Sequence, residues 1–295
     1  MLRTGVVAAI FWMCMATLLN SLAGGMVREL SGEIPIIELV FFRNVVALVI
    51  LAPWVMRRGI VRLPAARLPL YGFRVLLAYA AMVMLFYALA RMPIADVYAL
   101  QYTIPLFTIL LAVLVLKQHA DAHSWGACLV GFAGTLIIMR PGIIELTLAA
   151  VCAITSALLS AGSNTVIKLL SRSESPEVIT VWTNLLMMPL AFVPMLFIWV
   201  SPSWAQVPWV IGIGIASSMG GYSFTRAIAS ADARIVQPFQ FSRMIFATAI
   251  GFLMFAELPD VWTWIGSAVI FAASYYVVLH ERKGTPVPND TESRA

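Results

Sequence analysis

The most constraining feature of the sequence is a series of about ten apolar stretches between Val6 and Leu279, each roughly 20 residues long and bounded by short polar gaps. A helix that rises 1.5 Å per residue needs about 20 residues to cross a hydrocarbon layer of roughly 30 Å. The chain is 61% hydrophobic and 11% charged, and no stretch is polar enough for a separate soluble domain. These features predict an all-α fold, a polytopic membrane bundle of ten transmembrane helices. The predicted spans are Val6–Val27, Ile34–Met56, Leu68–Ala90, Val97–Leu116, Ser124–Met139, Thr147–Leu170, Glu177–Val200, Val207–Ala229, Arg234–Ala256 and Asp260–Leu279.

The basic residues predict the orientation of these spans, because Lys and Arg concentrate in cytoplasmic loops. With the N-terminus in the cytoplasm, thirteen of the 19 Lys and Arg residues lie on the cytoplasmic side. Three lie outside (Arg28, Arg91 and Arg140), and three lie within spans (Arg43, Arg74 and Arg243). We therefore expect both termini to be cytoplasmic. The net charge of +5 follows from this bias and gives no indication of nucleic acid binding.

The two halves of the chain repeat each other. At an offset of 140 residues, Arg28 corresponds to Lys168 and Asn44 to Asn184; at an offset of 139, Gln101 corresponds to Gln240, Asp121 to Asp260 and Trp125 to Trp264. Five spans per half is an odd number, so the second copy enters the membrane the opposite way up. Two inverted five-helix repeats are the plan of secondary transporters, which bind substrate near the midplane between the halves.

Several motifs resemble one known family. They are Glu38–Asn44 (ELVFFRN), Phe86–Ala90 (FYALA), Tyr102–Leu106 (YTIPL), Gly131–Gly134 (GFAG), Arg140–Gly142 (RPG) and Phe252–Pro259 (FLMFAELP). Together they are similar to the EamA-type transporters of the drug/metabolite transporter superfamily. The resemblance implies a ten-helix carrier in the bacterial inner membrane, with cytoplasmic termini, that moves amino acids, nucleosides, cofactors or drugs.

The same resemblance implies the domain organisation. Residues 1–142 form a first EamA repeat and residues 143–283 a second, and the polar residues 284–295 are expected to be a disordered cytoplasmic tail. The chain departs from the family at the end of each repeat's fourth helix, where a Gly-Glu pair is usual. The first repeat has Leu116-Lys117 at that place, and the second has Ala256-Glu257.

Arg43 and Arg243 are the leading candidates for a substrate site. Each lies nine residues into its predicted span, about 13.5 Å deep, where inserting an arginine costs roughly 2.5–3.5 kcal/mol. One hypothesis is that an arginine binds a carboxylate or phosphate of the substrate; the alternative is that both bond backbone carbonyls as structural residues. Arg74 is close enough to the cytoplasmic side to extend its side chain to the interface. The other candidate binding residues are Asn44, Gln101, Tyr102, Asn164, Trp182, Asn184, Tyr222, Gln237 and Gln240, and Gln237, Gln240 and Arg243 form one stripe.

Glu38 is the candidate for proton coupling, because it is the main carboxylate inside a predicted span. It is five residues from Arg43, so the two side chains point about 140° apart on a helix and do not pair easily. Transport as a facilitator or exchanger, with no proton step, is the alternative.

The sequence gives little support for an enzyme. His119 and His123 have the spacing of metal ligands on a helix, but no third ligand is evident, so no metal site is predicted. The sequence also contains no ATP-binding motif, catalytic triad or paired acids, and no cofactor is expected. The prediction is a secondary transporter in the lipid bilayer that moves an amino-acid-like, S-adenosylmethionine-like or flavin-like metabolite by alternating access. A non-transporting scaffold or sensor is the alternative, and homodimer formation is left open.

Overall fold

In the computed structural model, residues 2–58, 67–114, 122–140, 147–170, 174, 176–230 and 237–281 are described. These residues form α-helices and one 3₁₀ helix, with no strand among them. The helices are α1 (Leu2–Leu30), α2 (Ile36–Arg58), α3 (Leu68–Arg91), α4 (Ile94–Gln101), α5 (Ile104–Leu114), α6 (Ala122–Met139), α7 (Leu148–Leu170), α8 (Pro176–Met195), α9 (Val207–Ser230), α10 (Ser242–Phe255) and α11 (Val261–Glu281). The 3₁₀ helix Gln237–Phe241 leads directly into α10.

Helix boundaries follow the local sequence. Prolines stand at the first or second position of α3 and α8, where the missing N–H has no helical partner to lose. Ala256 ends α10 in the left-handed region, with φ of 54°, and Pro259 three residues later prevents the helix from resuming. The short connections between helices are thus encoded locally.

Length and apolar composition allow six segments of the described chain to cross a membrane. They are Val7–Leu30, Ile36–Pro53, Leu68–Arg91, Ile94–Leu111, Leu148–Ile167 and Val178–Met195, and two shorter apolar helices cover Trp125–Met139 and Phe239–Phe255. Large apolar side chains such as Phe197 and Leu253 face outward, 84% and 80% exposed. Soluble proteins rarely expose so many large apolar side chains, and in a membrane protein such side chains contact lipid. The fold is therefore a multi-pass helical bundle.

The fourth and ninth predicted spans are not single straight helices, which corrects the sequence analysis. The fourth divides at Tyr102 and Thr103 into α4 and α5, and the ninth changes from 3₁₀ to α geometry between Phe241 and Ser242. A proline adjoins each break: Pro105 in the first turn of α5, and Pro238 in the 3₁₀ helix. A proline removes one backbone hydrogen bond and its ring crowds the preceding turn, which interrupts an apolar helix without a polar gap.

The two breaks lie against each other. Tyr102 and Phe241, which correspond at the repeat offset of 139, stack with ring centroids 5.9 Å apart at 21°. The Tyr102 hydroxyl donates to the carbonyl of Gln240 at 3.2 Å. Segment Ile94–Leu111 is the most buried of the six long segments, at 67% against 28–39% for the others. The interrupted helices thus occupy the centre of the bundle.

Helix packing follows the pattern expected for inverted repeats. The first span (α1) packs on the eighth (α9), and the third (α3) packs on the sixth (α7); exchanging the repeats converts one pair into the other. The fifth and tenth spans, α6 and α11, pack on each other through Gly134 and Gly266. A Cβ on Gly134 would lie 2.9 Å from the carbonyl oxygen of Gly266, so only glycine permits this approach. This packing is consistent with a two-repeat membrane fold.

Candidate functional site

A polar cavity of about 300 Å³ lies within the bundle, lined by residues of α1, α2, α3, α4, α7, α9 and α10. Its charged lining residues are Arg43, Arg74 and Arg243. Its other polar lining residues are Asn20, Tyr98, Ser160, Ser163, Asn164 and Ser217. The volume is at the lower end of the range of small-molecule sites, roughly 300–1,000 Å³. The cavity therefore suits a small ligand with polar groups.

One continuous face of α3 forms a wall of this cavity. Arg74, Ala78, Ala81, Met82, Leu85, Phe86 and Leu89 recur at helical spacing. Arg74 begins this stripe and is only 8% exposed. The sequence predicts that Arg74 can extend to the cytoplasmic interface, but in the structure its side chain is directed inward to the cavity. The reason is that Arg74 lies on the face of α3 that packs on α7.

Arg243 lies in the first turn of α10, directly after the central break. Its guanidinium carbon is 5.3 Å from the ring centroid of Tyr98, a cation–π contact. The Tyr98 hydroxyl donates to the backbone carbonyl of Asn20 at 2.7 Å, which fixes the ring. The Nε atom of Arg243 is buried without a hydrogen-bond partner. Tyr98 thus holds the guanidinium at the cavity wall, and the buried Nε–H of Arg243 is left without an acceptor.

Arg43 reaches the cavity from α2. Its Nη1 donates to the thioether sulfur of Met82 at 3.2 Å, and sulfur is a weak acceptor. The charge of this guanidinium is consequently poorly compensated within the part of the chain that the structure describes.

Neutral polar residues on α7 complete the lining. Ser160, Ser163 and Asn164 recur at positions i, i+3 and i+4, so they present one polar face within an apolar helix. Of these three residues only Asn164 is predicted from the sequence, and the spacing of the two serines is the signal that could have predicted the others. The sequence did not predict Asn20, Tyr98 or Ser217 as lining residues. Each has polar neighbours on its own helix, such as Ser21 and Ser218, and the sequence does not indicate which of these neighbours faces the cavity.

Three of the predicted binding residues line the cavity together: Arg43, Asn164 and Arg243. Two others are close to the central break instead. Gln101 is buried and its Nε2 donates to the carbonyl of Ala153 at 3.0 Å, while the Tyr102 hydroxyl is occupied by the Gln240 carbonyl.

The remaining predicted residues lie away from the cavity lining. Asn44 is buried and its Nδ2 donates to its own helix at Val40, as Asn184 does to Thr180. Trp182 packs in an apolar cluster with Tyr71 and Ile179, and Tyr222 is 56% exposed. Gln240 contributes its backbone carbonyl to Tyr102. The Gln237 side chain, His119 and residues 284–295 lie outside the described part of the chain.

Glu38 is fully buried in the first turn of α2, outside the cavity lining. One carboxylate oxygen accepts a hydrogen bond from the backbone N–H of Val200 at 3.1 Å. The other oxygen is buried without a partner. The side chain thus links α2 to the segment after α8.

Ion pairs join the helix ends. At the end of the bundle where α1 and α3 finish, here called the distal end, Arg28 pairs with Glu257 and Arg140 with Asp260 at 2.5 Å. At the opposite end, Arg67 pairs with Glu174 at 2.5 Å. Each of these three pairs connects a residue of the first half of the chain with one of the second half.

The fold and the cavity define a class: multi-pass helical membrane proteins with an internal polar site between two repeats, the class of membrane carriers. Residues 7–140 and 147–279 each match the EamA-like transporter family, and the chain belongs to that family. It is therefore a multi-pass membrane protein and a small-molecule transporter.

Curated relatives extend over most of the chain. A riboflavin transporter of Brucella anthropi is 33% identical over 254 residues, which cover 84% of this chain and 89% of that protein. A pseudopaline exporter of Pseudomonas aeruginosa is 29% identical over 92% of this chain and 95% of its own. An S-adenosylmethionine uptake transporter of Rickettsia prowazekii is 22% identical over 96% of each. One solved crystal structure shares the fold, with a TM-score of 0.62 and 19% identity over 94% of this chain and 99% of that one.

Proposed function

We propose that this protein is a secondary transporter of the bacterial inner membrane that carries a small polar or amphipathic metabolite by alternating access. The observation that supports this is the polar cavity in an otherwise apolar bundle, lined by residues of both halves of the chain. Buried polar groups in a membrane protein are costly, and they mark a substrate pathway. The relatives carry different organic molecules, so the substrate class stays amino-acid-like, S-adenosylmethionine-like or flavin-like.

The proposed architecture is ten membrane spans in two inverted repeats, residues 1–142 and 143–283, followed by a cytoplasmic tail of residues 284–295. Both termini are cytoplasmic in this proposal, as the distribution of Lys and Arg indicates. Inverted repeats allow each half to adopt the conformation of the other, which exposes a central site alternately to the two sides. Assembly as a homodimer remains a prediction.

Filling the cavity tests the transport proposal directly. We expect Ala78→Trp to reduce substrate flux into proteoliposomes at least about tenfold, since the indole would occupy a site whose size is already at the lower limit for small ligands. Leu76→Trp is the matched control: it lies two residues away on α3, 54% exposed on the outer face, and should retain flux.

The assay uses riboflavin, S-adenosylmethionine and amino acids as probes, with uptake measured against protein-free liposomes. Saturable flux that is abolished by Ala78→Trp and retained by Leu76→Trp would support a carrier. Equal flux in the two tryptophan variants would contradict the role of this cavity, and no flux of any probe in the wild type would favour a scaffold or sensor.

We further propose that Glu38 couples transport to protons. Its carboxylate is fully buried, and one oxygen has no partner. We expect flux by the wild type to vary with a pH gradient and flux by Glu38→Gln to be insensitive to it. If Glu38→Gln keeps the wild-type pH dependence, transport is coupled elsewhere or is a facilitated or exchange process.

A further inference from the structure

The three cavity arginines share an unusual lack of counter-charge. The lining of the cavity, as far as the chain is described, contains Arg43, Arg74 and Arg243 and no Asp or Glu. The ion pairs among the described residues are formed by other arginines, Arg28 and Arg140 at the distal end and Arg67 at the opposite end. The cavity thus concentrates three positive charges.

Hydrogen bonding inside the protein leaves these guanidinium groups largely unsatisfied. Arg74 has two buried nitrogen atoms, Nε and Nη1, without a hydrogen-bond partner, and Arg243 has a buried Nε in the same condition. The described contact of Arg43 is to a thioether sulfur, a weak acceptor. An arginine that serves only to link helices is expected to donate to carbonyl or carboxylate oxygens, as Arg28 does to Met92 and Glu257.

A buried charge without a partner is destabilising by several kcal/mol, and a bound counter-ion relieves this cost. Guanidinium groups bind carboxylate and phosphate oxygens through paired, charge-assisted hydrogen bonds. The three guanidinium groups, from α2, α3 and α10, carry more positive charge than a single carboxylate neutralises. The ammonium group of a zwitterionic substrate would be repelled by the three guanidinium groups, and the described lining has neutral oxygen acceptors but no carboxylate to offset that repulsion.

We propose that the cavity selects a small metabolite whose oxyanion groups carry at least two negative charges in total, as two carboxylates or as one phosphate monoester. The three arginines bind these oxygens, and Ser160, Ser163 and Asn164 bind the neutral polar remainder. This inference rests on the proposed transport function for its biological meaning, but the binding site can be tested without any flux measurement.

The test measures binding and thermal stability of the purified full-length protein in nanodiscs. The probes are succinate and glycerol 3-phosphate, each with its uncharged counterpart, succinamide and glycerol, and butyrate as a monoanion. We expect the dianions to raise the melting temperature and the neutral counterparts to leave it unchanged, because binding to the native state alone stabilises it. Succinate against glycerol 3-phosphate distinguishes the dicarboxylate from the phosphate form of the site.

Arg74→Gln separates a binding role from a structural one. We expect it to weaken dianion binding at least about tenfold while the melting temperature of the ligand-free protein stays equal or rises, since one of three like charges is removed. A structural role predicts the opposite, a lower melting temperature in the absence of ligand. Arg91→Gln is the matched control: the same charge is lost from the same helix, outside the cavity, where Arg91 stacks on Tyr87 at 3.9 Å.

If Arg74→Gln does not fold, Arg74→Lys keeps the charge and loses the paired donors, and it should also bind the dianions more weakly. The inference is overturned if neutral counterparts bind as well as dianions, if no dianion binds, or if Arg91→Gln weakens binding equally.

Flux measurements distinguish this inference from the proposed transport function. Saturable transport of neutral riboflavin with no dianion binding would reject the inference and keep the transporter, whereas dianion binding without flux would keep the site and reject transport.

Discussion

Replacing Glu257 by lysine is expected to reduce transport at least about tenfold and to open the distal end of the bundle. Glu257 pairs with Arg28, and both side chains are largely buried, 27% and 17% exposed. Like charges placed together at such a site cost several kcal/mol, and 1.4 kcal/mol already corresponds to a factor of ten. The arrangement in which these helix ends are held together should therefore become a minor state in the variant.

The contacts of Arg28 explain why this pair matters. Its second terminal nitrogen donates to the carbonyl of Met92 at 2.5 Å, and its guanidinium carbon is 4.8 Å from the ring centroid of Phe255. One side chain thus joins the ends of α1, α3 and α10. Arg28 corresponds to Lys168 at the repeat offset of 140, and Glu257 corresponds to Gln118 at the offset of 139 that relates Asp121 to Asp260, so the equivalent positions of the other half have no pair of opposite charges. The ion pair therefore favours closure at the distal end only.

The measurement is cysteine labelling of a single cysteine introduced at the distal end, with flux measured in parallel. The double variant Arg28→Glu with Glu257→Lys restores opposite charges, and we expect it to recover most of the protection from labelling. Arg140→Gln, which removes a more exposed pair, should have a smaller effect. A double variant no better than Glu257→Lys alone would show that the pair does not control closure.

Truncating Tyr102 to alanine is expected to destabilise the protein by about 3–5 kcal/mol, as for other buried aromatic side chains. Tyr102 is 8% exposed and stacks on Phe241, and its ring also contacts Phe271 edge-on at 6.1 Å. Its removal leaves a void where the two interrupted spans meet. Tyr102→Phe keeps the rings and loses one hydrogen bond, so we expect a cost of only about 1 kcal/mol.

Thermal and denaturant unfolding in the same detergent measure both variants. Tyr222→Ala is the control, because Tyr222 is 56% exposed and should have little effect on stability. Equal destabilisation by Tyr222→Ala and Tyr102→Ala would contradict a central packing role for Tyr102. The stability measurement does not test the substrate role predicted for Tyr222 from the sequence. That role needs a separate binding measurement, because Tyr222 does not line the cavity.

Most of the helical organisation could be predicted from the sequence, since apolar length and proline punctuation are local properties. The exceptions are the fourth and ninth spans. Both were predicted as continuous helices because their apolar composition continues through Tyr102 and Phe241. Their interruption depends on Pro105 and Pro238 acting where the two breaks support each other by stacking, a contact between residues 139 positions apart.

The site was predicted less completely than the fold. Arg43 and Arg243 could be predicted from the sequence, because a guanidinium near the middle of an apolar span is costly to insert even if the ends of the span are uncertain by several residues. Arg74 was assigned to the interface because its distance from the helix end is short, whereas the direction of its side chain is set by the packing of α3 on α7. Asn44 and Gln101 were selected by polarity alone, and each instead satisfies a nearby backbone carbonyl.

The sequence by itself determined that this chain is a helical membrane protein of the EamA-like family, because hydropathy, charge bias and motif residues are all one-dimensional properties. Only the tertiary structure decided which polar side chains share a cavity. That selection depends on which face each helix turns toward its neighbours, and a rotation of about 100° per residue separates a lining residue from the next one in the chain. Arg74 in the cavity and Glu38 outside it are the two clearest results of that rotation.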